Sequence, residues 1–222
     1  MNVNEVKRNL VDACHRVYAR GFVAGYEGNL SARISVEKIL VTPAGVCKGD
    51  VAADDLIIVD RERPQTRGGS RSTARRREKG ALGRPTAELG MHLMVYDERP
   101  EVHAVVHAHP PVATGFAVAG VPIPERALPE VIVALGAIPL VPYALPGSAE
   151  LADAIRKHIK DADAFLLANH GVLTVGRTIE EAYYRLEMVE QVAKSVLVAK
   201  ALGGPKELSK AQIRALDKLA GR

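Results

Sequence analysis

Strand-like and helix-like segments intermix along this 222-residue chain without the one-to-one alternation that a doubly wound parallel fold requires. Helical spacing of Leu10, Val11, Cys14 and Val17 over residues 4–20 ends at Gly21. "NLSARIS" and "KILVTP" follow as two short strands joined by a tight turn, and "LIIVD" (56–60) adds another. "PTAELGMHLMVYDERP" predicts a helix capped by Thr86 and running to about Asp97. "VHAVVHAH" reads as a strand, and "PPVATGFAVAG" as a helix with its prolines at the start. A proline-interrupted stretch, 121–146, carries strand-like "IPLVPY" near its end, and the helix "SAELADAIRKHI" follows. "AFLLANHGVLTVG" gives two strands around a turn at His170-Gly171. A long amphipathic helix then aligns Leu186, Val189, Ala193 and Val196 on one stripe, and a short helix over about 209–219 ends the chain. The order fits one mixed sheet covered by helices on both faces, and the length suits a single domain over 1–222.

The formal net charge of +4 is a local property. Residues 61–84 hold nine Arg or Lys against Glu62 and Glu78, a local charge of +7, which leaves −3 on the rest. That segment has almost no large apolar residue before Leu82 and is expected to be a mobile loop. With nine aromatic residues and no recognisable binding module, no nucleic-acid partner is expected. Cys14 and Cys47 lie far apart without paired spacing, the first residues lack a signal-peptide core, and no apolar run approaches a membrane span. The expectation is a cytoplasmic protein with no membrane partner.

"HAVVHAHPP" puts three of the chain's seven histidines within residues 103–109. On a strand His107 and His109 face the same way, about 7 Å apart, while His103 lies about 13 Å from His109, too far to share one ion. An isolated H-x-H pair reads first as satisfied histidines at a polar strand end. His170, at another strand end and before a glycine, supplies a third imidazole. Three imidazoles leave a coordination position open, as catalytic zinc sites do. Glu88 shares a helix face with His92. By itself it is an acidic residue favoured near a helix N-terminus, and beside a metal it is a general acid/base. "GYEGNLSAR" and "VTPAGVCKG" offer turns whose backbone N–H groups, with Asn29, Thr42 and Thr86, fit a phosphate cradle, although most such pairs are simply turns.

Taken in order, "GNLSAR", "VTPAG", "PTAELGMH", "AVVHAHP" and "NHGVLTVG" resemble the class II aldolase/adducin family, whose members include L-fuculose-1-phosphate aldolase. The resemblance implies an α/β fold: a three-layer helix–sheet–helix sandwich around one mixed, largely antiparallel sheet. It also implies a homotetramer with active sites at subunit interfaces. Matched position by position, it makes His107, His109 and His170 ligands of one Zn2+ per subunit and Glu88 the catalytic acid/base. Asn29, Thr42, Gly45 and Thr86 match the phosphate cradle. The chain departs from the fuculose enzyme at Thr86-Ala87, where that enzyme has two serines, and near Leu128, where it has an assisting tyrosine.

The implied function is zinc-dependent, reversible cleavage of a ketose 1-phosphate like L-fuculose 1-phosphate, giving dihydroxyacetone phosphate and an aldehyde such as lactaldehyde. Rivals on the same scaffold are a pentulose-phosphate 4-epimerase, a methylthioribulose-1-phosphate dehydratase and a non-catalytic adducin-like interaction domain. Glu88 stands where the epimerases have aspartate, which argues against the first. Retention of all three imidazoles argues against the last.

Overall fold

The computed structural model describes residues 2–62, 83–219 and 221. The loop expected over 61–84 therefore lies almost wholly outside the described residues. Its first residue is anchored: Arg61 donates to the Asp97 carboxylate at 2.6 Å and to the Tyr96 carbonyl at 3.1 Å.

Helix α1 (Val3–Ala19) precedes strands β1 (Asn29–Arg33), β2 (Lys38–Val41) and β3 (Ile57–Asp60). Then come α2 (Leu89–Glu98), β4 (Ala104–Ala108), α3 (Pro111–Val118), β5 (Leu140–Val141) and α4 (Ala149–Arg156). The hairpin β6 (Ala164–Leu167) and β7 (Gly171–Gly176), the long helix α5 (Ile179–Ala201) and α6 (Lys210–Leu219) complete the order. The helix starts are written in short polar side chains. Asn2, Ser148 and Thr178 accept from the backbone N–H of Asn4, Leu151 and Glu181, each satisfying a donor the helix leaves free.

The seven strands form one sheet in the order β3-β2-β1-β4-β7-β6-β5. Every neighbouring pair is antiparallel except β5 with β6, so the sheet is mixed and largely antiparallel. Because side chains alternate along β4, Val106 and Ala108 enter one core while Val105 enters the other. The first core packs α1, α3 and α5 through Leu10, Phe116, Leu186 and Val189 against Leu30, Leu166 and Val172. The second packs α2 and α4 through Met91, Val95, Leu151 and Ile155 against Ile39, Phe165 and Leu173. Each such side chain, fully buried, contributes about 1.5–3 kcal/mol. The result is a three-layer helix–sheet–helix sandwich.

Three local expectations are corrected. The helix expected from Thr86 begins at Leu89, with Glu88 in the capping position. Thr86 spends its hydroxyl one step earlier, accepting from the Glu88 N–H at 3.3 Å inside a turn. Strand β4 stops at Ala108, because the His109 N–H leaves the sheet to bond the Phe22 carbonyl at 2.8 Å. The strand expected in "IPLVPY" is only the two residues of β5, and a π-helical turn, Val131–Leu135, precedes it. Among the described residues no helix is long and apolar enough to cross a membrane.

Candidate metal centre and its carboxylate

The register of three strands assembles the site. Asn29, first residue of β1, pairs with His107 on β4, and His107 pairs across its other edge with Leu173 on β7. The start of β1, the end of β4 and the start of β7 therefore meet at one end of the sheet. Asn169, in the left-handed region at φ 53°, turns the chain between β6 and β7 and delivers His170 to that end. Gly171 follows, and a Cβ there would lie 2.4 Å from His109 Cδ2 and 2.7 Å from the Ala108 carbonyl oxygen. Only glycine lets the two strand ends approach this closely.

One ligand nitrogen each from His107, His109 and His170 lies within 4.8 Å of the others. The ring centroids are 4.6–5.3 Å apart and the rings are tilted rather than stacked. His107 Nδ1 lies 2.9 Å from the Val172 carbonyl oxygen, which can only accept, so Nδ1 carries the proton. Nε2 points inward, 3.2 Å from His109 Nε2. Burial first, then repulsion from His107, lowers the pKa of His109 and takes that of His170 to about 4. Three converging imidazoles are a donor set for a divalent transition metal. His103, whose N–H bonds the Gly176 carbonyl at the far end of β4, is outside the cluster.

Glu88 reaches the cluster from the start of α2. Its Oε2 is 3.2 Å from His107 Nε2 and its Oε1 is 3.3 Å from His170 Nε2. Burial pushes the carboxyl pKa up, but the His107 imidazole, His170 and the Asn29 amide outweigh it, and the net pKa falls well below the usual carboxylate range. Glu88 Oε1 and His170 Nδ1 are buried without a hydrogen-bond partner, polar atoms of the kind a bound cation and its ligands would satisfy. The three imidazoles and this carboxylate fit a metal ion.

Asn29, Thr86 and Thr42 of the phosphate-cradle candidates connect to this group. Asn29 donates from Nδ2 to Glu88 Oε2 at 2.8 Å. Thr42 exchanges bonds with Leu30, its Oγ1 accepting from the Leu30 N–H at 3.1 Å. The Thr86 N–H donates to the Thr42 carbonyl at 3.3 Å, tying the two threonines together. Gly45 occupies the turn after Thr42, next to Ala44, whose N–H bonds the Arg84 carbonyl.

Helical spacing puts His92 on the face of Glu88, and the structure supplies its partners. His92 is fully buried, with Nε2 2.5 Å from Asn29 Oδ1 and Nδ1 2.7 Å from Ser31 Oγ, and Ser31 Oγ lies 2.8 Å from Tyr96 Oη. The signal was present in two periods: Asn29 and Ser31 share a strand face, and His92 and Tyr96 share a helix face. Glu190 of α5 carries no sequence signal of its role. Its buried carboxylate accepts from the Val112 and Ala113 N–H groups at 3.1 and 2.9 Å, holding the start of α3 just beyond His109.

Known proteins resemble the chain over most of its length. The family described as Class II Aldolase and Adducin N-terminal domain matches residues 8–197. An L-fuculose phosphate aldolase from Methanococcus maripaludis is 33% identical over 84% of this chain and 93% of its own. A 3-oxo-tetronate 4-phosphate decarboxylase from Haemophilus influenzae is 31% identical over 85% of each. A solved structure of an L-fuculose 1-phosphate aldolase superposes with a TM-score of 0.83 at 26% identity, covering 98% of this chain and 97% of its own. The chain belongs to the class II aldolase and adducin N-terminal domain family.

Proposed function

We propose that this protein is a zinc-dependent aldolase that reversibly cleaves a ketose 1-phosphate, of the L-fuculose 1-phosphate type, to dihydroxyacetone phosphate and an aldehyde such as lactaldehyde. The observation that carries the reading is the Glu88 carboxylate lying against two of three converging imidazoles, with the Asn29 amide beside it. His107, His109 and His170 would hold the metal, which supplies a Lewis acid to the oxygens of the ketose. Glu88 exchanges a proton with the dihydroxyacetone phosphate carbon: in cleavage the carboxylate takes up the proton that leaves the C4 hydroxyl as C3–C4 breaks and delivers it to C3, and in the synthetic direction it removes the C3 proton and returns it to the new hydroxyl. Asn29, Thr42, Gly45 and Thr86 hold the phosphate, so that binding energy far from the reacting bond positions the carbon.

The family setting supports a homotetramer with active sites at subunit interfaces, and the unpaired Cys14 and Cys47 support a reducing, cytoplasmic setting. A second reading, decarboxylation of a 3-oxo acid phosphate, is favoured by the decarboxylase relative and uses the same proton delivery from Glu88. Zinc-loaded protein given dihydroxyacetone phosphate with a panel of aldehydes, and separately 3-oxo-tetronate 4-phosphate, distinguishes them. New ketose phosphates support the aldolase, and release of carbon dioxide supports the decarboxylase. Glu88→Gln should keep its metal and lose most turnover; wild-type turnover in that variant would remove Glu88 from the chemistry.

A further inference from the structure

We propose that His92 is a positioning residue that sets the amide orientation of Asn29 and, through it, the catalytic orientation of Glu88. The inference rests on the reading of Glu88 as the acid/base. The four hydrogen bonds from Glu88 to Tyr96 run through buried atoms, and each fixes the next. A carboxylate only accepts, so Asn29 turns its NH2 toward Glu88 Oε2. Asn29 Oδ1 then faces His92, and an amide oxygen only accepts, so His92 Nε2 carries the proton. The ring is neutral, because burial above all, and then repulsion from His107, takes its pKa to about 3. His92 Nδ1 is therefore an acceptor and takes the single Ser31 hydroxyl proton. Ser31 Oγ is left to accept from the Tyr96 hydroxyl.

The functional content lies in the amide. An asparagine side chain can occupy its site in two orientations related by a flip. Here one of them sets Oδ1 against a carboxylate oxygen, and the other gives Glu88 a donor. The Nε2–H of His92 selects the second. It also leaves the remaining Nδ2 proton of Asn29 available to an anionic substrate beside Glu88. His92 is fully buried, so it touches no substrate and works through Asn29 alone.

Two measurements on the metal-loaded protein test this. Long-range proton–nitrogen NMR near neutral pH should report wild-type His92 as the neutral Nε2–H tautomer, and a proton on Nδ1 would overturn the proposal. The second follows exchange of solvent protons into dihydroxyacetone phosphate. His92→Gln keeps an N–H donor for Asn29 and an acceptor for Ser31, and should hold the exchange rate within about threefold of wild type. His92→Leu removes both and should lower it about tenfold or more, roughly one hydrogen bond's worth, with metal content unchanged. Equal rates in the two variants would overturn the positioning role, since loss of the ring alone would then account for the effect. Glu88→Gln run alongside separates the two ideas. If it exchanges at the wild-type rate, the acid/base reading falls and the tautomer alone decides the relay. If it is inactive while His92→Leu is unaffected, only the positioning role falls. Should His92→Leu fail to fold, the wild-type tautomer decides.

Discussion

Replacing Gly171 by alanine tests whether the close approach of the two strand ends holds the imidazole cluster together. The new Cβ would stand 2.4 Å from His109 Cδ2, 3.2 Å from His109 Nε2 and 2.7 Å from the Ala108 carbonyl oxygen. Non-bonded carbon atoms rest at about 3.5–4.0 Å, so the His109 ring must retreat by roughly 1 Å. The Ala108 carbonyl is backbone in the β4–β7 pairing and can give only a little. A metal site tolerates about 0.2 Å in a ligand distance, so a ring displaced this far stops serving as a ligand. Metal affinity should drop on the order of 10–100-fold, and the overpacking should cost about 1–3 kcal/mol of stability. Titration of zinc against a chromophoric chelator reads the first, and denaturant unfolding of the apoprotein reads the second. A Gly171→Ala protein that binds zinc as tightly as wild type would refute the geometric argument, because His109 would then have no need of that contact.

Alanine at His107, His109 or His170 should strip the purified protein of most of its metal, while His103→Ala should retain it; elemental analysis decides, and full zinc occupancy in His170→Ala would sink the ligand assignment. The buried His92 makes stability depend on acid. Its folded pKa of about 3 lies below the ordinary 6.5, so between those values the unfolded chain binds the extra proton. Its contribution is present above pH 6.5 and is lost as pH falls toward 3, at up to about 1.4 kcal/mol per pH unit. Urea unfolding of the apoprotein across that range should show a shallower slope in His92→Gln, and an unchanged slope contradicts the assignment. Glu190→Gln weakens the charged acceptor for the Val112 and Ala113 N–H groups and should cost about 1–3 kcal/mol, read as a lower urea midpoint.

Periodicity made the layered fold legible because most of its elements follow one period each. Leu186, Val189, Ala193 and Val196 all lie in the core as their helical spacing required. The elements that escaped break that rule. Val131–Leu135 is a single π-helical turn, and its buried Val131, Ile132 and Leu135 are too short a run to establish any period. Thr86 has the side chain of a helix cap, and the structure uses it in a turn before the helix instead. In the site, the imidazoles were conspicuous because histidine is rare here. The meeting of His107 with His170 depends on the β4–β7 register, which no local pattern encodes. The relay from Glu88 to Tyr96 was hidden for the same reason: Asn29 and Ser31 come from β1 while His92 and Tyr96 come from α2, and only the packing of helix on sheet pairs them.

The position of β4 between β1 and β7 has a temporal consequence. The N-terminal strands pair in sequence order, β1 with β2 and β2 with β3, and β4 can join them once about half the chain is made. The hairpin β6–β7 belongs to the last third, and His170 arrives only with it. A growing chain on the ribosome therefore carries His107 and His109 well before it can enclose a metal. The complete cluster appears only when a contact far apart in sequence has closed, the slow kind of step in folding. Metal capture would thus report completion of the sheet: a chain truncated before His170 keeps two histidines of the three and has no means of locking them.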